Sequence, residues 1–276
     1  MMPCRVEGKV AFITGAARGQ GRNHAVRLAE EGADIIAVDI STPVASVGYP
    51  MASAADLAET VRLVEATGRR IFAAEADVRD AAELRDVVDA GVAELGRLDI
   101  VSANAGIASM SMFTDMDEAT WQDTIDINLT GVFHTAKAAV PHLIAGGRGG
   151  SIVVTSSTAG LKGIANVAHY SAAKHGLVGF TRTLANELAP HFIRANTLHP
   201  TGVDTAMIRA EAVRRWFEPT PSGAFDGPSA PSSVHPLPVP WIEVDDVTNA
   251  LLFLVSDEGR YITGAAVPID AGMLVR

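Results

Sequence analysis

The sequence is short of cysteine and of long apolar runs. Cys4 is the only cysteine among 276 residues, and no stretch of eighteen apolar residues occurs. A lone cysteine cannot close a disulfide within the chain and has no partner for a structural zinc site, which fits a reducing compartment. The apolar runs are too short for a membrane-spanning helix, and the N-terminus lacks the pattern of a signal peptide. We therefore expect a cytoplasmic protein with no membrane partner.

Positive charge is also scarce. The chain has 22 Lys and Arg against 32 Asp and Glu, a formal net charge of -10. This charge repels a polyanion and no basic stripe offsets it locally, so we predict no nucleic-acid partner. The eight histidines are scattered and form no HExxH pattern. We therefore predict no metal site, and we place His169 and His175 on a pocket wall or a helix surface.

Strand and helix patterns alternate from one end of the chain to the other. Apolar segments rich in β-branched residues, typical of strands buried on both faces, lie at 10–14, 35–38, 71–74, 98–102, 152–155 and 265–269. Helical spacing of apolar residues occurs at 21–31, 54–66, 81–95, 119–144, 171–189 and 244–255. This order predicts an α/β fold with a doubly wound, mainly parallel sheet and helices on both faces. No break in composition divides residues 1–276 into two domains.

Two stretches interrupt this alternation. Residues 41–53 separate the second strand from the next helix, where a few residues would suffice, and we interpret them as an insertion near the cofactor. Residues 217–240 contain seven of the fourteen prolines, a density that forbids a regular helix or a central strand. We predict a lid or wall on the substrate side across residues 205–240, with a solvated linker as the alternative.

The segment TGAARGQG, residues 14–21, follows the first strand and opens a helix. Its glycines, Gly15, Gly19 and Gly21, allow a tight turn and let a pyrophosphate approach the helix N-terminus, where free N–H groups and the dipole favour an anion. Three glycines in a turn also occur by chance. Their place between a strand and a helix is what indicates nucleotide binding.

Asp39 and Arg18 favour different cofactors. Asp39 ends the second strand, where a carboxylate accepts hydrogen bonds from an adenosine ribose and repels a 2′-phosphate, which favours NAD. Arg18 lies in the glycine loop and favours NADP, because a guanidinium pairs with that phosphate. We give Asp39 more weight, since its place at the strand tip is well defined and its repulsion is direct. A turn-forming role is the alternative for Asp39.

Tyr170 and Lys174 lie one helical turn apart in HYSAAKHG, in a chain with only three tyrosines. A phenol with a reference pKa of about 10 is a poor base at neutral pH, but a nearby ammonium favours the phenolate, as does an oxidised nicotinamide. Such a tyrosine can take a proton from an alcohol while hydride leaves the carbon. An ordinary amphipathic helix with a half-buried tyrosine is the alternative.

Further polar residues lie where strands end. Ser156 and Ser157 follow one strand, and the NAG sequence with Asn104 and Gly106 follows another. Ligands of open parallel sheets bind outside these ends. A serine there is suited to hold a substrate oxygen, and Gly106 lets the backbone lie against a cofactor. Asn128 is polar among apolar neighbours within a helical segment, where a satisfied core amide is the alternative.

Together these motifs resemble the short-chain dehydrogenase/reductase family. The match covers TGxxxGxG at 14–21, Asp77 and Val78 after the third strand, NAG at 104–106, Asn128, the strand-tip serine, YxxxK at 170–174 and the closing YITGAAVPIDAG. The resemblance implies a single-domain Rossmann fold with a seven-stranded sheet, and a homotetramer. It also implies a catalytic tetrad of Asn128, Ser157, Tyr170 and Lys174. Ser157 is preferred to Ser156 because it lies thirteen residues before Tyr170, the usual family spacing.

The motifs and the resemblance together give the expected contacts to the cofactor, NAD. These are Gly15, Arg18, Gly19, Gln20, Gly21, Asp39, Asp77, Val78, Asn104, Ala105, Gly106, Tyr170, Lys174, Pro200, Val203 and Thr205. One departure from the family pattern is HPTG at residues 199–202, where many members have Pro and Gly adjacent.

A narrower resemblance comes from the insertion at 41–53, the loop ARGQGR and the segment HPTGVDTAM. It is to the mycofactocin-coupled, carveol-dehydrogenase-like subgroup. It implies an NAD that is not released at each turnover and is reoxidised in place by a separate redox carrier, mycofactocin. The insertion would then cover the adenosine end, with a surface decoration as the alternative.

The leading hypothesis is an NAD-dependent alcohol dehydrogenase acting on a small, apolar secondary alcohol, with the reverse reduction of the ketone available. The rival within the enzymes is an NADPH-dependent ketone reductase, and the rival of another class is a non-catalytic NAD-binding scaffold or redox sensor. Residues 107–113, 161–167 and the stretch after Met207 are the expected pocket walls. Their large side chains predict an apolar substrate: Met110, Met112, Phe113, Leu161, Ile164, Val167, Met207, Trp216 and Phe217.

Overall fold

The computed structural model of the protein describes residues 4–209 and 235–276. Within them, seven parallel strands form one sheet: β1 Val10–Thr14, β2 Asp34–Asp39, β3 Ile71–Glu75, β4 Ile100–Ala103, β5 Gly150–Thr155, β6 Ile193–Pro200 and β7 Ala266–Ile269. The α-helices of the same residues are α1 Gly19–Glu30, α2 Ala54–Glu65, α3 Ala81–Leu95, α4 Glu118–Ile125, α5 Gly131–Gly146, α6 Ala168–Leu188, α7 Ala206–Arg209 and α8 Val244–Val255. None of these helices is both long and apolar enough to cross a membrane.

The strand order creates a crevice at the middle of the sheet. The strands follow one another as β3-β2-β1-β4-β5-β6-β7, so β1 pairs with β2 on one side and with β4 on the other. Connections that leave neighbouring strands in opposite directions open a crevice beyond the carboxyl ends of those strands, here β1 and β4. The predicted Rossmann fold, doubly wound with a seven-stranded parallel sheet, is confirmed.

The sheet lies between two separate hydrophobic clusters. Phe12 of β1 packs with Leu84 of α3 and Leu143 of α5 on one face. Its neighbour Ile13 packs with Leu28 of α1 on the other face. Successive residues of a strand point to opposite faces, so a strand covered on both sides is apolar at every position. This explains why most strands could be found as uninterrupted apolar runs.

One strand, β6, lies outside the predicted apolar runs. Its sequence, IRANTLHP, includes Asn196, Thr197 and His199, and all three side chains are buried. Asn196 donates through Nδ2 to the carbonyl of Ile262 at 2.8 Å and accepts from the amide of Ala265 at 3.0 Å. The Asn196 side chain thus pairs with backbone groups of the segment that leads into β7. Because β6 contains these polar residues, it does not stand out as an apolar run.

The helix predicted at 119–144 is divided in the structure. A π-helical turn, Asp126–Thr130, joins α4 to α5 and includes Asn128. The π-helical turn spans only five residues, and the apolar pattern on its two sides was interpreted as one continuous helix. Such turns inside α-helices are frequent at functional sites.

Candidate active site

The glycine loop connects β1 to α1 in a conformation that requires glycine. Gly15 and Gly19 have φ angles of 68° and 53°, in the left-handed region. A Cβ atom on Gly21 would lie 1.9 Å from the carbonyl oxygen of Gly15, so no other residue fits there. Arg18 precedes α1 and provides no side-chain hydrogen bond to the first turn. The free N–H groups of that turn therefore form a site for a diphosphate.

The loop after β4 is tied to the loop after β1. Thr14 accepts hydrogen bonds through Oγ1 from the amides of Asn104 and Ala105 at 3.1 and 3.2 Å. Asn104 Nδ2 donates to the carbonyl of Thr14 at 3.1 Å. A Cβ atom on Gly15 would lie 2.9 Å from the Cα atom of Ala105. These contacts fix the NAG segment against the glycine loop on either side of the crevice.

A groove and a pocket adjoin at this crevice. The predicted cofactor residues that line the groove are Gly15, Arg18, Gly19, Gln20, Gly21, Asp39, Asp77, Val78, Asn104, Ala105, Gly106 and Thr205. The remaining ones line the pocket: Tyr170, Lys174, Pro200 and Val203. Gln20, Asn104, Gly106 and Thr205 line both. The structure therefore brings all the predicted cofactor residues to one continuous depression.

The residues present fit a dinucleotide in this groove. Gln20 lies where groove and pocket meet, and its Oε1 atom is buried without a hydrogen-bond partner among the described residues. A buried acceptor of this kind needs a donor, which a bound cofactor can supply. The uncapped N-terminus of α1 provides the complementary site for phosphate oxygens.

Asp39 is held at the tip of β2 by the backbone. Its Oδ2 atom accepts from the amide of Ala17 and its Oδ1 atom from the amide of Ile40, both at 2.8 Å. Burial raises the pKa of this carboxyl, while those two hydrogen bonds and the charge of Arg18 act in the opposite direction. The Arg18 guanidinium lies 5.9 Å from the ring centre of Tyr49. Arg18 is thus engaged with an aromatic face beside the groove.

Residues 41–53, which we call the strap, run along the groove before Ser53 caps α2. Val44, Tyr49, Met51 and Ala52 line the groove. Ser46 donates through Oγ to Asp123 of α4 at 2.8 Å, and the Tyr49 hydroxyl accepts from the amide of Ala108 at 3.2 Å. The strap therefore connects the β2 side of the crevice to the β4 side. The sequence predicted an insertion, but it gave no sign that Tyr49 reaches the loop after β4.

Tyr170 and Lys174 lie one turn apart on α6, as predicted. Lys174 is buried and donates through Nζ to the carbonyl of Thr155 at 2.7 Å, and this Nζ is 5.5 Å from the ring centre of Tyr170. Burial lowers the pKa of Lys174 to about 7. Burial likewise raises the pKa of Tyr170 to about 12, against the effect of a hydrogen bond with the Ser157 side chain. We expected Lys174 to lower this pKa, but burial has the largest effect on it and the lowering comes from the Ser157 hydrogen bond.

The two serines after β5 have different partners. Ser156 is buried and donates through Oγ to the carbonyl of Lys174 at 3.0 Å, so its hydroxyl is used to hold α6. The Ser157 side chain faces Tyr170 and also accepts from the amide of Ala159 at 3.1 Å. This geometry agrees with the choice of Ser157 over Ser156.

Asn128 joins the π-helical turn to the loop after β4. Its Oδ1 atom accepts from the amide of Ile107, and its Nδ2 atom donates to the carbonyl of Ile107, both at 2.8 Å. A Cβ atom on Gly106 would lie 2.9 Å from Asn128 Oδ1 and 3.5 Å from Lys174 Nζ. The side-chain amide therefore fixes the backbone that passes beside Lys174.

The pocket is mainly apolar. Its large apolar side chains are Ile107, Met110, Ile164, Val167, Met207, Ile208 and Met273. Of the predicted wall residues, Met112, Phe113 and Leu161 instead lie exposed, Phe113 with 79% of its surface accessible, because the ends of both loops turn toward the surface. Trp216 and Phe217 belong to residues 210–234, outside the described part of the chain, as does most of the predicted lid. Ile208 lies in the predicted wall after Met207 although it was not named individually, whereas Met273 was missed and only its position after the last strand pointed toward the site.

The histidines near Tyr170 do not line the pocket. His169 is fully buried and forms a hydrogen bond through Nε2 with Ser109 Oγ at 2.8 Å, so it lies behind the wall to which Ser109 belongs. His175 is exposed on α6 and bonds to the carbonyl of Ser171 at 2.8 Å. In residues 4–209 and 235–276 no group of three or more His, Cys, Asp or Glu side chains is arranged to hold a metal ion.

A glycine loop at the crevice and a tyrosine and lysine beside an apolar pocket define a dinucleotide-binding oxidoreductase. The family model described as short chain dehydrogenase matches residues 9–215. The chain belongs to this family.

Three relatives are especially informative. The (-)-trans-carveol dehydrogenase of Rhodococcus erythropolis is 58% identical over 275 residues, covering 99% of this chain and 99% of the relative. The crystal structure of carveol dehydrogenase from Mycobacterium avium in complex with NAD is 54% identical, with a TM-score of 0.93 and 99% of both chains covered. A short chain dehydrogenase from Mycobacterium paratuberculosis bound to NAD is 47% identical, with a TM-score of 0.91, and covers 99% of this chain and 100% of that one.

Proposed function

We propose that the protein is an NAD-dependent alcohol dehydrogenase that oxidises a small, apolar, carveol-like secondary alcohol to its ketone, with the reverse reduction available. The observation that carries the proposal is the apolar pocket that holds Ser157, Tyr170 and Lys174 and shares lining residues with the cofactor groove. Asp39 and the glycine loop support NAD as the cofactor, as do the NAD-bound relatives.

Each polar residue of the pocket has a defined task in this reaction. NAD supplies the hydride acceptor. Tyr170 takes the proton of the alcohol through its phenol oxygen, and Ser157 orients the substrate oxygen toward it. Burial raises the pKa of Tyr170, so the phenolate needs positive charge nearby, which a protonated Lys174 and an oxidised nicotinamide would both supply.

Lys174 and Asn128 complete the proton path. Lys174 binds the nicotinamide ribose and, with a pKa of about 7, gains or loses a proton readily near neutral pH. Asn128 supports a water through which protons reach solvent. In the reverse direction the same groups return a proton to the ketone oxygen.

The cofactor is held too tightly to leave at each turnover and is reoxidised in place by an external carrier such as mycofactocin. Support comes from the strap, whose Ser46 and Tyr49 make hydrogen bonds across the groove. Mass spectrometry of the purified protein, denatured without added nucleotide, tests this directly. Near-stoichiometric NAD is expected, and a protein purified without nucleotide contradicts tight retention.

The active protein is a homotetramer built partly on α5 and α6. Phe133 of α5 and Phe180 of α6 stack edge to face, with ring centres 6.4 Å apart, and Phe133 and Ile144 expose a large part of their side chains. An exposed apolar face of this kind favours association with another subunit. Light scattering after size-exclusion chromatography gives the mass that tests this assembly.

The catalytic proposal is tested by Tyr170→Phe. The variant removes the proton acceptor and keeps the ring, so we expect turnover to fall by about 10²-fold or more while NAD remains bound. Tyr261→Phe is the matched control, because Tyr261 is 89% exposed and outside the pocket. Substantial turnover by Tyr170→Phe would remove Tyr170 from its role, and would leave the substrate proposal to be judged separately.

A further inference from the structure

His199 is a buried histidine outside the predicted tetrad. It lies near the end of β6 with no accessible surface, and both ring nitrogens have partners. Nδ1 is 2.7 Å from the carbonyl oxygen of Ser157, and Nε2 is 2.7 Å from Oγ1 of Thr197. It is also the first residue of HPTG, where the sequence departs from the family pattern.

These partners determine which nitrogen of His199 carries the proton. A carbonyl oxygen can only accept, so Nδ1 donates to Ser157, and Nε2 accepts from the Thr197 hydroxyl. Burial is the main cause that lowers the pKa of His199, and the nearby charge of Lys174 acts in the same direction. The ring is therefore neutral and locked in one tautomer, directed at the main chain of Ser157.

The backbone of β6 cannot hold this part of the chain by itself. The amide of Ser156 donates to the carbonyl of Leu198 at 2.8 Å, which is the last ladder hydrogen bond between the two strands in this direction. The next N–H of β6 that a parallel ladder would use belongs to residue 200, which is a proline and has none. That N–H would have donated to the carbonyl of Ser156, and the His199 ring instead provides a side-chain donor to the next carbonyl, that of Ser157.

The Ser157 carbonyl is held from two directions. It accepts from the amide of Gly160 at 2.9 Å within the turn Thr158–Gly160. It also accepts from Nδ1 of His199 on the neighbouring strand β6. The Gly160 bond is local to the turn and moves with it. The His199 bond joins the turn to the sheet, and so determines where the Ser157 side chain lies relative to Tyr170.

We propose that His199 is a positioning residue for proton transfer, whose Nδ1–H fixes the main chain of Ser157 so that its hydroxyl meets Tyr170 and the substrate oxygen. This inference rests on the proposed function. His199 itself touches neither cofactor nor substrate, and its effect on the reaction passes through Ser157.

The test compares His199→Ala with His199→Asn. Alanine removes the donor, whereas the amide N–H of asparagine reaches about as far as Nδ1–H. We expect His199→Ala to lower kcat about tenfold with KM within about twofold, which corresponds to about 1.4 kcal/mol in the barrier. His199→Asn is expected to recover most of the loss. His175→Ala, which removes an exposed histidine, serves as the control and keeps the wild-type rate.

A double-mutant cycle separates positioning from a general loss of stability. In a Ser157→Ala background, His199→Ala is expected to have almost no further effect on kcat, because both changes affect one unit. The proposal would be overturned if the two changes lowered kcat independently, so that their factors multiplied in the double variant. A fully active His199→Ala enzyme would also overturn it.

A second readout does not depend on turnover. Hydrogen exchange followed by mass spectrometry measures the amides of Ala159 and Gly160, which donate to Ser157. We expect exchange several-fold faster in His199→Ala and close to wild type in His199→Asn. Unchanged exchange in His199→Ala refutes the anchoring role. A wild-type protein that oxidises no secondary alcohol refutes the proposed function instead, and the exchange result still decides whether His199 anchors the turn.

Discussion

Replacing Tyr49 by alanine should turn a slowly exchanging cofactor into a rapidly exchanging one. Tyr49 belongs to the strap and is only 7% exposed. Its ring faces Arg18 of the glycine loop, and its hydroxyl accepts from the amide of Ala108 beyond the groove. Tyr49 therefore contacts both sides of the crevice. If the strap must open before NAD leaves, the contacts of Tyr49 must break first.

The size of the effect follows from those contacts. Truncating a buried aromatic residue to alanine costs about 3–5 kcal/mol, and a surface strap that can relax belongs at the lower end. About 3 kcal/mol corresponds to an exchange rate on the order of a hundredfold faster. Tyr49→Phe removes only the hydroxyl, which is about 1 kcal/mol and about fivefold in rate.

The assay follows exchange directly. Protein carrying its own NAD is mixed with an excess of isotopically labelled NAD, and the label that remains with the protein after rapid gel filtration is measured over time. Thr42→Ala is the matched control, since Thr42 is an exposed residue of the same strap. Thermal melting of each variant shows that the fold is retained.

Equal exchange rates for wild type and Tyr49→Ala would refute the reasoning, because the strap would then not limit release. A Tyr49→Phe variant as fast as Tyr49→Ala would assign the whole effect to the hydrogen bond with Ala108 and none to the ring.

Three further predictions concern Gly106, Asp39 and His24. Gly106→Ala forces a Cβ atom to within 2.9 Å of Asn128 Oδ1, so we expect a loss of about 1–3 kcal/mol in stability and a lower kcat. Gly163→Ala, with no atom within 4 Å of the new Cβ, should change neither melting temperature nor rate. Asp39→Asn keeps an acceptor oxygen but removes the charge, so binding assays should show NADP gaining about tenfold or more relative to NAD; an unchanged ratio would mean that Asp39 does not select the cofactor. His24 is fully buried, and burial lowers its pKa from 6.5 to about 3, so the unfolded chain takes up this proton first and stability is lost as the pH falls from 6.5 toward 3. Urea unfolding at pH 7.5 and 5.5 should show wild type losing about 1.4 kcal/mol more than His24→Gln, and parallel losses would exclude His24 as the source.

The parts of the site that depend on local spacing could be predicted from the sequence. The glycine loop needs three glycines at fixed intervals between a strand and a helix, and Tyr170 and Lys174 need one helical turn between them. Backbone geometry alone then brings these residues to the end of β1 and to one face of α6. Ser157 could be chosen over Ser156 on its spacing from Tyr170, and the different partners of the two hydroxyls agree with that choice.

What the sequence left open depends on contacts between distant segments. Nothing near Tyr49 indicates that its hydroxyl reaches Ala108, fifty-nine residues further along the chain. Strand β6 was hidden because Asn196 and His199 are polar, and their partners at Ile262 and Ser157 are known only once the chain has folded. The π-helical turn at Asn128 is a change of backbone hydrogen bonding over five residues, which a pattern of apolar residues does not report.

Lys174 shows what the site costs the fold. Burial brings the pKa of this ammonium group to about 7. An apolar side chain of similar length could pack at the same position without the cost of removing a charged group from water. The chain therefore retains at this point a residue that weakens the folded state. Selection for stability and selection for activity therefore act in opposite directions at this position. A screen for heat-resistant variants that does not also measure turnover would be expected to replace Lys174 early.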